Sequence, residues 1–405
     1  MKYMPTLSHI VTGFVVVLVG YASSAAIVFQ AAENAGATAT ELTSWLWALG
    51  VGMGLSSLGL SWHYRQPILT AWSTPGAALL VTSLSGLSMS EAIGAFLICS
   101  LLITLCGISG WFDHLMALLP PSLAAAMLAG VLFPFGLQAF GALQHQLALA
   151  GLMLLCYLLL KNRLPRYAIP MTLLVGLGLA ITQGQFDSGN IEWQLAMPVF
   201  MMPSFSLNTL IGVAIPLFVV TMASQNMPGL AVLRAHNYQA PASSLISWTG
   251  ITGLLLAPFG GFAFNLSAIT AAICMSEEAD PDHNKRYQAS IWAGIFYLLA
   301  GLFAATVASL LLVLPKTLIM VIAGLALLST IGNSLYSALI VEQEREAALI
   351  TFVITASGLS LFGIGSAFWG LVIGLLVHYF RHFEKNHSVA KPHGSEPKTD
   401  AAKAQ

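Results

Sequence analysis

What constrains this chain most is where its charges are missing. No Asp, Glu, Lys or Arg occurs between Gln66 and Ser90, Leu115 and Leu160, Trp193 and Leu233, Ala235 and Ser276, Tyr287 and Pro315, Thr317 and Val341, or Ala347 and Phe380. Each gap is wide enough for one or two membrane helices of about 20 residues. The four charged residue types make up 8% of the 405 residues, where a soluble globular chain carries about 25%. Lipid, not water, is therefore the expected solvent. The 15 basic and 16 acidic residues leave a formal charge of −1, which excludes a polyanion-binding surface and with it nucleic acid as a partner. Cys99, Cys106, Cys156 and Cys274 sit in apolar runs without CxxC spacing, so they read as small core residues, with no disulfide framework and no metal site. No cofactor is implied. An enzyme is disfavoured, because neither HExxH nor GxSxG occurs and the acids lie mostly in loops.

The expected fold is an all-α polytopic membrane protein. The first apolar run, Ile10 to Phe29, is full length and lacks a cleavage-type end, so it is read as a retained span. Polar and Pro/Gly punctuation divides the chain into fourteen segments, starting near Ile10, Leu42, Pro67, Ser88, Ser122, Leu147, Tyr167, Leu207, Ser243, Phe262, Ser290, Thr317, Arg345 and Ser366. With an inside N-terminus this topology puts every lysine and arginine except Lys316 on the cytoplasmic side, as the positive-inside rule asks. Both termini are then cytoplasmic, in a bacterial-type inner membrane. Residues 1–190 form a first repeat of seven segments and 191–382 a second. From 383 to 405 the composition turns polar and Lys-rich, which reads as a disordered tail. Its His382, His387 and His393 are too irregularly spaced to suggest a metal site.

Two segments depart from plain membrane helices. In the third, Pro67 to Trp72 looks extended, and Ser73, Thr74, Pro75 and Gly76 then read as a helix start, with hydroxyl caps before a proline at the first helical position. In the tenth, the breaker pair Gly260–Gly261 precedes Phe262, Phe264, Asn265 and Ser267, with Asn265 or Ser267 able to cap a second half-helix. Interrupted segments at matched places in two halves point to an inverted-repeat transporter with its substrate at the midplane. Helix starts present open N–H groups and about half a positive charge each, so two of them would offset about one carboxylate without any lysine or arginine. Trp72, Phe262 and Phe264 would suit a flat apolar remainder. The bland alternative is that both segments merely kink packed helices.

Segment eight adds Ser224, Gln225 and Asn226, which cannot all share one helix face. One or two are expected at a ligand, Gln225 first, and another on a neighbouring helix. Segment one contributes Tyr21, Ser23 and Ser24, where small residues equally allow close helix approach. Glu91 is the single acid that could lie within a span, as a proton carrier or, from its Ser88-x-x-Glu91 pattern, as half of a capping box.

The stretches YASSAAIVFQAA (Tyr21 to Ala32), TAWSTPGAALL (Thr70 to Leu80), TMASQNMPG (Thr221 to Gly229), AITAAIC (Ala268 to Cys274) and GIGSAFWG (Gly363 to Gly370) resemble the benzoate/proton symporter (BenE) family. The likeness covers roughly residues 5 to 380. It implies a uracil-permease-like fold of two inverted halves, with a core domain of segments one to four and eight to eleven. The gate domain would be segments five to seven and twelve to fourteen, and a short strand would precede each half-helix. Where nucleobase permeases of that fold carry acids in segments eight and ten, this chain places Gln225 and Phe264, while Asn265 is similar to a permease asparagine. The partners this implies are a small aromatic carboxylate, a proton and the lipid bilayer. The expected activity is alternating-access import of benzoate or a related acid. An organic-anion channel or uniporter of the same fold, or a nucleobase permease, is the alternative. A homodimer is left open, with Gly50-x-x-x-Gly54 and Gly370-x-x-x-Gly374 as packing cues.

Overall fold

Hydroxyl caps or prolines start several helices of this chain, and apolar runs sustain them. A computed structural model describes residues 7–111, 119–185, 193–362 and 364–389, side chains of 166 and 381–389 excepted. Helix α1 (Leu7–Asn34) leads to α2 (Ala39–Tyr64), which Thr38 and Glu41 open with a reciprocal capping box. The same device, Ser88 with Glu91, opens α4 (Met89–Ser109). The Glu91 carboxylate accepts from the Ser88 amide at 3.0 Å and the Ser88 hydroxyl at 2.8 Å, so of its two expected roles the structure displays helix capping. Between α2 and α4 lie strand β1 (Thr70–Trp72) and the short helix α3 (Thr74–Ser83). Then come α5 (Pro121–His145), α6 (Leu147–Lys161) and α7 (Pro165–Thr182).

An extended stretch, 193–206, precedes α8 (Leu207–Ala235). Within α8, Leu210–Ala214 and Met222–Asn226 are π-helical. Helix α9 (Ala242–Leu256) is followed by strand β2 (Phe264–Leu266) and the half-helix α10 (Ile269–Cys274). Helices α11 (Tyr287–Leu302) and α12 (Ala304–Val313) meet at a 68° bend, a break with no proline to announce it. The chain closes with α13 (Lys316–Leu339), α14 (Arg345–Ala356) and α15 (Ser366–Val389). Helix α15 thus runs past 382, and residues 390–405 of the expected tail lie outside the described residues. Among the described residues, six helices are long and apolar enough to cross a membrane, or seven if the bent pair forms one span.

Packing pairs α2 with α11, α4 with α9, α5 with α13 and α14, and α14 with α15. Glycine makes the first of these contacts possible: a Cβ on Gly50 would sit 2.6 Å from the Gly301 Cα, and one on Gly54 would sit 2.8 Å from the Gly294 carbonyl oxygen. Gly370 and Gly374 likewise admit Thr355 and Thr351 of α14. Both GxxxG cues therefore mark helix packing inside one chain. Apart from the main core, one buried apolar cluster is confined to α5, α6, α7 and α13, with Met153, Tyr157 and Leu325 among its members.

Strands β1 and β2 pair antiparallel, with Thr70 opposite Leu266, Ala71 opposite Asn265 and Trp72 opposite Phe264. The pairing continues through Ser73 N–H to the Ala263 carbonyl (3.1 Å) and Ser267 N–H to the Leu69 carbonyl (2.9 Å). Irregular backbone inside a bilayer must satisfy its polar groups within the protein, and this ribbon does so. Ser56 and Ser57 of α2 hold the Thr70 hydroxyl at 2.6 and 2.9 Å and tie the ribbon to the helix.

Candidate functional site

Because the ribbon is antiparallel, α3 and α10 leave it from opposite ends. Both starts border one cavity. Their backbone donors are not equally open. At α3 the Ser73 hydroxyl accepts from Gly76 N–H at 3.0 Å, Pro75 has no N–H, and the Ser73 amide is taken by Ala263. That leaves the Thr74 amide alone without an acceptor among the described residues. At α10 no side chain caps the helix. The amides of Ala268, Ile269, Thr270 and Ala271 have no acceptor among the described residues. Asn265 and Ser267, expected as caps, do other things. Asn265 is locked in β2, its Nδ2 donating to the Ala263 carbonyl at 3.0 Å, while the Ser267 hydroxyl pairs with the Thr270 hydroxyl at 2.5 Å.

A cavity of about 950 Å³ lies against both starts, at the upper end of the size range of small-molecule sites. Ser24, Trp72, Thr74, Gln225 and Ser267 of the expected set line it. Trp72 is oriented by its indole N–H, which donates to the Ser24 hydroxyl at 2.9 Å, and Ser24 in turn donates to the Gly20 carbonyl at 2.8 Å. Thr74 and Gln225 have no side-chain hydrogen bond to any described residue, so their donors and acceptors are free to serve a ligand.

The other seven expected residues stand behind the wall. Ser73 caps α3, and a Cβ on Gly76 would run into Leu217 and Ser73. Tyr21 packs edge-on against Trp72, ring centroids 4.9 Å apart. Phe262 is buried against Trp45 and Phe96, and Phe264 lies over Gly52 and Gly261; neither ring can stack on a ligand. Asn265 is buried in β2, and Asn226 reaches β2, accepting from Leu266 N–H at 2.9 Å. The crowded triad of segment eight is thus resolved: Ser224 and Gln225 face the cavity and Asn226 anchors the ribbon. The π-turn over Met222–Asn226 carries that split.

Several lining residues were not anticipated. Ile269, three-quarters exposed, projects from the first turn of α10. Thr270 pairs with Ser267, and Tyr297 of α11 closes the wall near Gly20, where an added Cβ would lie 3.0 Å from its hydroxyl. A tyrosine deep in an apolar run was the available signal for Tyr297, since a buried phenol needs a partner. Ser329, Thr330, Asn333, Ser334 and Ser337 of α13 also line the cavity, one helical face that the spacing alone could have revealed. Among the described residues no Asp, Glu or Arg lines the cavity, and the charged lining residue there is Lys161, at the end of α6. Among the described residues no group of three or more His, Cys, Asp or Glu is placed to hold a metal ion.

The chain is 53% identical to the inner membrane protein YdcO of Escherichia coli over 91% of its length and 94% of that protein. It is 38% identical to the benzoate membrane transport protein of Acinetobacter baylyi, over 92% of this chain and 95% of that one. Among solved structures, the transmembrane domain of a cyanobacterial bicarbonate transporter, BicA, superposes with a TM-score of 0.62 at 14% identity, covering 94% of this chain and 98% of that domain. SLC26A9 also reaches 0.62 at 13% identity, covering 93% of this chain and 66% of that chain. At such identities these two likenesses speak for the fold alone, a mostly helical membrane architecture. The model of the benzoate membrane transport protein family matches residues 4–380, and the chain belongs to that family, BenE.

Proposed function

We propose that the protein is a secondary transporter of the inner membrane that imports benzoate or a related aromatic carboxylate together with a proton. In this reading the elements make up fourteen segments in two inverted halves, both termini cytoplasmic. A core of segments one to four and eight to eleven moves against a gate of segments five to seven and twelve to fourteen. One observation carries the proposal: a single cavity borders both interrupted segments, whose donors there are uncommitted and uncharged. The open amides of α10, the Thr74 amide and the Gln225 side chain offer an anion hydrogen bonds that cost no reorganisation. An isolated carboxylate in an apolar interior would otherwise be prohibitively costly. Trp72 and Ile269 supply apolar surface for a ring. The 38% identity to a benzoate membrane transport protein over nearly the whole chain supports the choice of acid.

Gln225, which lines the cavity where nucleobase permeases carry an acid, favours a carboxylate over uracil, since an acid there would repel the substrate. Import of a bare monoanion would work against an inside-negative potential at about 2.3 kcal/mol per 100 mV; a co-transported proton removes that opposition. The test is benzoate uptake into proteoliposomes. Saturable uptake driven by an inward proton gradient is the expected result. Uptake indifferent to the gradient refutes symport, and non-saturable flux indicates a channel.

A further inference from the structure

We propose that Lys161 is a second anion subsite, where the transported carboxylate pauses between the α3–α10 site and solvent; this rests on the transport reading above. Among the described residues Lys161 is the one with a formal charge in the cavity wall, and it stands where the cavity reaches the α6–α7 connection with Asn162 and Pro165. It makes no salt bridge among the described residues. Its ammonium lies 5.5 Å from the centroid of the Tyr157 ring, which also lines the cavity. A cation held over an aromatic face keeps its outer side free for an anion.

The second observation is the polar face of α13, which lines the same cavity. Membrane-helix hydroxyls commonly satisfy themselves on the carbonyl four residues back, as Ser56, Thr104 and Thr351 do here at 2.6 to 2.9 Å. The side chains of Ser329, Thr330, Asn333, Ser334 and Ser337 make no hydrogen bond to any described residue. From Ser329 to Ser337 they extend for about 12 Å along the helix. Uncommitted donors in a row, with one cation in the same cavity, form a track on which a carboxylate exchanges partners without losing all of them at once. By the positive-inside topology this mouth faces the cytoplasm, so the subsite would act on release of imported acid.

The test is equilibrium exchange of labelled benzoate in proteoliposomes holding the full chain, as wild type, Lys161→Gln, Lys161→Arg and Lys161→Glu. A unit charge within about 4 Å of a carboxylate in a wet mouth raises its local concentration about 5-fold. Lys161→Gln is expected to raise the half-saturating concentration about 5-fold, with maximal exchange within about two-fold of wild type. Lys161→Glu raises it further and Lys161→Arg restores it. Wild-type exchange is expected to weaken as salt rises from about 0.01 M to 1 M, because the screening length falls from about 30 Å to 3 Å, and Lys161→Gln should flatten that dependence. A Lys161→Gln protein with wild-type half-saturation and salt dependence overturns the subsite alone. So does a defect in Lys161→Gln that Lys161→Arg fails to rescue and that tracks lost thermal stability. Absence of saturable exchange in the wild type overturns the transport reading as well.

Discussion

Ser267→Asp separates folding from binding at the start of α10. Ser267 lines the cavity, is 8% exposed, and holds its hydroxyl against Thr270 three residues on. An aspartate there places a carboxylate beside the uncapped first turn, a position that favours acids by about 0.3 to 1 kcal/mol. Thermal stability in detergent is therefore expected to hold or rise. Substrate affinity moves the other way. Two carboxylates about 5 Å apart at an effective dielectric of about 20 repel by about 3 kcal/mol, which is on the order of 100-fold in affinity. Ser267→Asn is the control of nearly equal size without the charge, and it is expected to cost under about 10-fold, the worth of one hydrogen bond. Benzoate titrations by calorimetry on the three proteins provide the comparison. Equal affinity in the Asp and Asn variants would show that the substrate carboxylate is not at α10, and the electrostatic reasoning would fail.

The neighbours Gln225 and Asn226 should behave oppositely. Gln225→Ala removes no protein hydrogen bond, so it weakens benzoate binding about 10-fold with stability unchanged, whereas Asn226→Ala strands the Leu266 amide and lowers stability by about 1 to 3 kcal/mol; thermal unfolding beside binding distinguishes them. Gly50→Val must force α2 from α11, because even its Cβ would lie 2.6 and 2.7 Å from Gly301 backbone atoms. A loss of about 1 to 3 kcal/mol is expected, and an unchanged melting temperature would contradict the packing described. Tyr238, in the connection after α8, stacks on His283 and donates to its carbonyl at 2.9 Å. Burial pushes its phenol up from 10.0 to about 12. A group kept neutral by folding contributes stability in full below pH 10 and loses it as pH rises toward 12. Wild type should therefore destabilise more steeply than Tyr238→Phe between pH 10 and 12, and parallel curves would refute this.

Local chemistry was legible wherever neighbours in sequence decide the outcome. Ser73, Thr74 and Pro75 announce the start of α3, and the two S/T-x-x-E patterns announce the starts of α2 and α4, because a cap needs only residues three apart. The second break was legible as a break and misread in detail. Asn265 looks like a cap in isolation, yet β1, almost 200 positions earlier in the chain, pairs with it and makes it a strand residue. The face of Asn226 was undecidable from spacing, because a π-turn adds a residue without any sequence marker. Lys161 was read only as a mark of topology, since nothing local ties the end of α6 to a cavity bordered by α1, α8 and α10. The 68° bend at Phe303 likewise lacks a proline or glycine pair at the break itself.

The claim on which everything else depends is that backbone amides, not a basic side chain, receive the substrate's charge. A structure of the full chain with benzoate bound tests it most directly. The expected result is a carboxylate within about 3 Å of amide nitrogens in the first turn of α10, with Gln225 or the Thr74 amide completing the contacts. A carboxylate found solely at Lys161, or at any other cationic side chain while the α10 amides stay unoccupied, would contradict it.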